Sequence, residues 1–108
     1  MSRASRDKGY RAERAIVDLH CRIGVHAERV PLSGAARYQG RANDVDVYAR
    51  GDEHPPLLAE IKARGTGGGF KTLERWLGGH DALFLRRDRH AEPLVVLPWR
   101  IWADLIGR

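Results

Sequence analysis

The chain has 108 residues, of which 43% are hydrophobic, and its formal net charge is +5. That length suits one domain with its own core rather than two, and the composition excludes an intrinsically disordered chain. A basic surface favours polyanions such as nucleic acid, although ribosomal and membrane-surface proteins share this charge. No apolar run approaches the roughly 20 residues that cross a bilayer, and the polar N-terminus predicts no signal peptide.

The sequence contains one cysteine, Cys21, so no internal disulfide can form. This fits a reducing compartment, and we expect a cytoplasmic protein in which Cys21 is structural rather than a nucleophile. The five histidines are scattered without a metal-ligand spacing, so a zinc site is not expected.

The chain is predicted to begin with a mobile basic arm, residues 1–7, followed by a single domain over residues 8–108. A helix should run from Lys8 or Gly9 to Arg22, with Gly24 as its C-cap. Apolar residues recur there at the spacing of one helical face, namely Ala12, Ala15, Ile16, Leu19 and Ile23.

One acidic residue, Glu13, lies at the edge of that apolar stripe. It can be a solvated charge paired with a neighbouring arginine, or a carboxylate that reaches a metal directly or through water. Both alternatives stay open on the helix pattern alone.

The middle of the chain predicts three strands separated by turns. They cover Val25–Leu32, Asp44–Ala49 and Leu57–Ala63, and the residues at 51–56 that break the chain include two prolines. The loop 33–42 between the first two is rich in small residues and basic ones. Its Ser33, Arg37 and Arg41 can be a turn former and solvated charges, or contacts to nucleic-acid phosphates.

Acidic residues on two of these strands can converge. Alternation places Asp44 and Asp46 on one face of their strand, and Glu60 and Lys62 are two residues apart and so point the same way. Two acids from neighbouring strands with a lysine beside them have the chemistry of a divalent-metal site.

The remainder of the chain predicts a second helix, a hairpin and a last helix. The helix covers Phe70–Leu77, the hairpin strands cover Ala82–Arg86 and Leu94–Leu97, and the last helix covers Pro98–Ile106. Together with the earlier elements this order predicts an α/β fold with a mixed central sheet flanked by helices.

Four pieces of the sequence resemble known nuclease motifs. Asp44 followed by Glu60-Ile61-Lys62 resembles the PD-(D/E)xK signature, with Asn43 where a proline is usual. The segment from Lys8 to Arg14, KGYRAER, resembles the opening of archaeal-type Holliday junction resolvases, and Arg29 to Gly34, RVPLSG, resembles the segment before their aspartate. The resemblance spans residues 8–64 and carries no clear motif from Gly65 onward.

The resemblance implies a restriction-endonuclease-like fold and a role for each site residue. Asp44 and Glu60 would bind Mg²⁺, with Mn²⁺ as a possible substitute, and the carbonyl of Ile61 is a candidate third ligand. Glu13 would complete the metal shell, and Lys62 would position the attacking water or stabilise phosphate charge. Position in the motif favours Asp44 over Asp46. The candidate DNA contacts are Lys8, Arg11, Arg29, Ser33, Arg37 and Arg41.

The function implied is a structure-selective endonuclease that resolves four-way DNA junctions as a homodimer. The same chemistry could act on flaps, nicks or duplex, in a chromosomal or a phage setting. A third hypothesis is a nucleic-acid-binding module whose acids are only structural. For the dimer, we expect an aromatic two-fold interface from the helix that begins near Phe70, or from the last helix with Trp99 and Trp102.

Overall fold

The computed structural model of the chain describes residues 3–33, 36–37 and 43–108. These residues form three helices, α1 (Arg3–Arg22), α2 (Phe70–Leu77) and α3 (Trp99–Ile106). Their strands in chain order are β1 (Ala27–Arg29), β2 (Leu32–Ser33), β3 (Ala36–Arg37), β4 (Val45–Val47), β5 (Leu57–Ala59), β6 (Leu83–Leu85) and β7 (Leu94–Val96). The predicted α/β class is confirmed. None of the helices in this described part is long and apolar enough to cross a membrane.

Contacts within the chain group its residues into two compact units. The first contains Met1–Ala63 and Ile106–Arg108, and the second contains Arg64–Leu105. The break falls at the glycine-rich segment that begins at Gly65. Contacts are sparse across such segments because glycine has no side chain to pack.

The first helix, α1, starts earlier and faces the sheet differently than the sequence predicts. It begins at Arg3, so residues 3–7 of the predicted arm are helical. Val17 and Ile23 pack against the core, whereas Ala15 is exposed. His20 is buried, and its Nδ1 donates to the carbonyl of Ile16 at 2.7 Å. A polar residue can occupy the buried stripe because the i−4 carbonyl accepts its N–H.

A three-stranded antiparallel sheet in the order β1-β4-β5 forms the centre of the first unit. The middle strand β4 is buried along its whole length. Its two valines join Val25 and Ala27 in the core of this unit. The sequence predicted a mixed sheet, but every strand pair in the described residues is antiparallel. The connection between β4 and β5 is short, and a parallel pair needs a crossover of about a dozen residues or more.

The second unit holds α2 and the hairpin of β6 and β7, as predicted. In the hairpin, Phe84 lies directly opposite Val95, and these side chains are 67% and 53% exposed. No residue described in this unit is fully buried. The fully buried apolar residues therefore all belong to the first unit.

Gly24 follows the end of α1 at a position where any other residue would be strained. Its φ is +81°, and a Cβ built there would lie 2.7 Å from the carbonyl oxygen of Arg108. The amide of Arg108 donates to the Ile23 carbonyl at 2.7 Å, which holds the C-terminus against this turn.

Substitution at this turn tests the fold of the first unit. Gly24→Ala should lower the free energy of unfolding by about 1–3 kcal/mol, because a non-glycine residue is strained at positive φ. Gly9→Ala is the matched control, since Gly9 is helical and has open space around its Cα. That change should stabilise the protein by about 0.5–1 kcal/mol. Chemical denaturation measures both, and equal effects of the two changes would contradict the assignment of Gly24.

Candidate functional site

Asp44 connects the two strands that carry the candidate site. It lies immediately before β4, and its Oδ2 accepts the N–H of Ile61 at 2.7 Å. The main-chain N–H of Asp44 donates to the carbonyl of Ala59 at 2.9 Å. These two bonds reach the residues on either side of Glu60. The structure therefore brings Asp44 against the Glu60-Ile61-Lys62 segment, as the motif predicts.

Glu60 and Lys62 lie just beyond the end of β5 and are both exposed. The Nζ of Lys62 is 3.8 Å from Oε2 of Glu60. An ion pair so exposed is worth at most about 1 kcal/mol. Both side chains can therefore exchange this contact for a phosphate or a cation at little energetic cost.

Asp46, the alternative to Asp44, lies in a different environment. It is only 3% exposed, and its Oδ1 accepts the Nδ2 of Asn43 at 2.8 Å. It pairs across the sheet with Glu28 and Leu58. Asp44 is the aspartate that contacts the Glu60 segment, which agrees with the preference for it, although the metal ligand stays a prediction.

Asn43 contributes an oxygen that the sequence pattern did not single out. Its Nδ2 donates to the carbonyl of Val45 and to Asp46, each at 2.8 Å. These two bonds fix the orientation of the amide. Its Oδ1 is buried and has no hydrogen-bond partner within the described residues. An unsatisfied buried oxygen is costly, so a bound water or cation would stabilise it. The only signal in the sequence was the amide next to the motif aspartate.

Glu13 and Arg29, which were assigned separate roles, form an ion pair. The Nε of Arg29 donates to Oε1 of Glu13 at 2.9 Å, and the guanidinium lies 4.3 Å from the centre of the Tyr10 ring. This cation–π contact, which the sequence did not predict, joins the two upstream motif segments. Of the two alternatives for Glu13, the structure contains the ion pair with an arginine. A metal role for Glu13 stays a prediction.

The main chain at Arg29 lies next to the motif aspartate. It pairs with Val45 across β1 and β4, and the N–H of Val30 donates to the carbonyl of Asp44 at 3.0 Å. The main chain that follows Arg29 is therefore hydrogen-bonded directly to the main chain of Asp44.

The other predicted DNA contacts fall in two groups. Lys8 and Arg11 are exposed on α1, and their spacing of three makes them neighbours on the helix surface. The side chains of Ser33 and Arg37, and all of Arg41, lie outside the described residues.

The chemistry of the predicted donor atoms suits a magnesium ion. Carboxylate and amide oxygens, as in Asp44, Glu60 and Asn43, are the ligands that Mg²⁺ prefers. Within the described residues, no group of three His, Cys, Asp or Glu side chains lies close enough to hold an ion. Glu13 is instead held by Arg29. The carboxylates of Asp44 and Glu60 are the candidate donors, and the metal role of Glu13 stays a prediction.

No family model, no curated protein and no solved structure matches the chain. The arrangement itself combines two carboxylates from adjacent chain segments with an exposed lysine. Such a group can bind a hard cation and donate hydrogen bonds to a phosphate oxygen. This is the set of functions that phosphodiester hydrolysis requires.

Proposed function

We propose that the chain is a Mg²⁺-dependent DNA endonuclease of the PD-(D/E)xK type, with a restriction-endonuclease-like fold. The observation that carries the proposal is the hydrogen bond from Ile61 N–H to Asp44 Oδ2 at 2.7 Å. It holds the motif aspartate against the segment Glu60-Ile61-Lys62. The net charge of +5 supports a polyanionic substrate.

Each residue of the site has a distinct task in this proposal. Asp44 and Glu60 would hold the cation, with the Ile61 carbonyl or Asn43 Oδ1 as a further ligand. When bound, Mg²⁺ supplies Lewis-acid stabilisation of charge at the phosphate. The Lys62 ammonium would leave Glu60 and donate to a non-bridging phosphate oxygen or orient the attacking water. Glu13 would complete the metal shell, directly or through a water, and it is paired with Arg29 in the structure.

Four-way junctions are the proposed substrate, because a two-fold dimer presents two active sites to a two-fold junction. Of the two helices considered for the interface, α2 carries Trp76, which is 54% exposed. Trp99 and Trp102 on α3 are half-buried and have partners within the protein. The interface is therefore proposed to centre on α2.

Assembly can be measured directly. Light scattering at micromolar concentration should give about twice the chain mass of 12.2 kDa. Trp76→Glu should give the monomer, because it places a charge at an apolar interface centre. The matched control on α3 is Leu105→Glu, because Leu105 is exposed. Trp102→Glu would not show which helix forms the interface, since it would also perturb the packing of the monomer. If the wild type is a monomer even when it is bound to a junction, the result would contradict the proposed dimer and the proposed preference for four-way junctions.

A nucleic-acid-binding module without catalysis is the second candidate. It is favoured by the ion pairs Glu13–Arg29 and Glu60–Lys62, in which the chain's own cations neutralise the acids. In that case the carboxylates would be structural and would need no metal.

Labelled DNA substrates separate these functions. Four-way, flap, nicked and linear duplex DNA would be incubated with the protein in Mg²⁺, and each product mapped on a denaturing gel. The proposal predicts paired cuts in opposed strands of the four-way junction at the highest rate. Faster cutting of flaps or nicks would change the substrate and keep the chemistry. Binding of all substrates without any cut would favour the binding module.

A further inference from the structure

The tip of the β6–β7 hairpin has a concentration of arginines outside the candidate site. Arg86, Arg87 and Arg89 fall within four residues, and all are exposed. Within the described residues none of the three is in an ion pair, and neither are the two nearby acids, Asp88 and Glu92. Arginines elsewhere do have carboxylate partners, namely Arg3, Arg29 and Arg100.

The backbone at this tip holds an arginine in an unfavourable conformation. Arg89 has a φ of 66°, and it is the one non-glycine residue with positive φ in the described part of the chain. The N–H of His90 donates to the carbonyl of Arg87 at 3.0 Å, which closes a four-residue turn around it. Glycine or asparagine is the usual residue at a turn position with positive φ. Strain of this kind is concentrated at functional sites.

A cleft of about 420 Å³ opens beside the turn. Its apolar lining residues are Leu85 and Leu94, which are register partners and lie side by side on one face of the hairpin. The polar lining residues are Arg86, Arg87, His90 and Glu92. The cleft therefore combines an apolar surface with guanidinium groups, which suits a ligand with both a flat apolar part and an anionic part.

An exposed aromatic side chain lies on the other face of the hairpin from Leu85 and Leu94. Phe84 is next to Leu85 in β6, so the two side chains point to opposite faces of the strand. It is paired with the exposed Val95 on the same face of the hairpin. Aromatic faces stack on bases, while arginines bind phosphates bidentately.

We propose that the β6–β7 hairpin is a second nucleic-acid contact, in which Arg86, Arg87 and Arg89 bind consecutive phosphates of a DNA strand. The cleft lined by Leu85 and Leu94 would take the sugar or base of one unstacked nucleotide, as found at a branch point. The choice of DNA rests on the proposed function. Binding by the hairpin does not require the carboxylates of the candidate site. Experiments can therefore contradict the hairpin contact and the nuclease activity independently.

The test measures binding of the full chain to a fluorescent four-way junction by anisotropy, in EDTA and across a range of salt. A triple variant, Arg86→Gln with Arg87→Gln and Arg89→Gly, should weaken binding and reduce the magnitude of the slope of log affinity against log salt by about 2–3. The control removes the same charge from the same unit, through Lys71→Gln, Arg75→Gln and Arg100→Gln. It should change the slope by less than about 1.

A single substitution excludes misfolding as the cause. Arg89→Gly removes the guanidinium and relieves the positive φ, so its melting temperature should be equal or higher while its salt slope falls by about 1. Arg89→Lys should restore the slope. An unchanged slope for Arg89→Gly and the triple variant, or an equal loss in the control, would overturn the hairpin contact. If the hairpin variants lose binding but the wild type cuts no substrate, the result would support DNA binding by the hairpin and contradict the proposed nuclease activity.

Discussion

Asp44→Asn is expected to reduce single-turnover cleavage at least about a thousand-fold. Loss of the carboxylate removes several kcal/mol of charge stabilisation through the metal, and about 1.4 kcal/mol corresponds to a factor of ten in rate. Asparagine keeps an oxygen that can accept the Ile61 N–H, so the contact between the two segments survives. DNA binding should be intact or tighter, since a charge that repels phosphate is gone.

Two further variants accompany this measurement. Glu60→Gln should have an effect of similar size, because it removes the second carboxylate. Asp46→Asn is the control and should be milder, since its side-chain oxygen can still accept from Asn43. If Asp44→Asn or Glu60→Gln cleaves at a rate near that of the wild type in Mg²⁺, the ligand assignment is wrong. A larger loss of cleavage rate for Asp46→Asn than for Asp44→Asn, in a folded protein, would assign the role of metal ligand to Asp46.

Lys62→Met is expected to lower the cleavage rate about 100- to 1,000-fold, with a small change in affinity. Removal of one donor aimed at developing charge typically has this cost. The side chain is exposed, and its contact with Glu60 at 3.8 Å contributes little to folding. Stability should therefore stay within about 0.5 kcal/mol of the wild type.

Lys71→Met is the matched control for this change. Lys71 is an exposed lysine on α2, and its loss makes the same change in net charge. Rates and dissociation constants measured under the same conditions separate catalysis from binding. An equal drop in rate for both variants would show that Lys62 acts only through overall charge.

The helices show which features of the fold the sequence could predict. The bounds of α2 were predicted correctly, because an apolar stripe is enclosed there by glycines at both ends. The start of α1 was placed too late, since the basic residues before Lys8 have no apolar period to reveal a helix. The burial of His20 could not be predicted either, because it depends on a bond to its own helix backbone.

The strands were predicted too long for a reason that also concerns the site. The pattern of alternation continued to Ala63, whereas β5 ends at Ala59. The N–H of Ile61 is bound by the side chain of Asp44 instead of a main-chain carbonyl. The sequence could therefore predict that Asp44 lies close to the Glu60 segment. It could not predict that the Asp44 side chain, rather than a neighbouring strand, accepts the hydrogen bond from the Ile61 N–H. The pairing of Glu13 with Arg29 required the register of β1, which a single sequence does not specify.

Metal dependence of cleavage tests the proposed nuclease most directly. The protein would be treated with EDTA, dialysed, and assayed on a labelled four-way junction while Mg²⁺ is added in steps. The proposal predicts no cutting without metal and a saturable return of cutting with Mg²⁺, with Mn²⁺ as a substitute. Full cutting in EDTA, or intact DNA at every concentration of both ions despite tight binding, would contradict it.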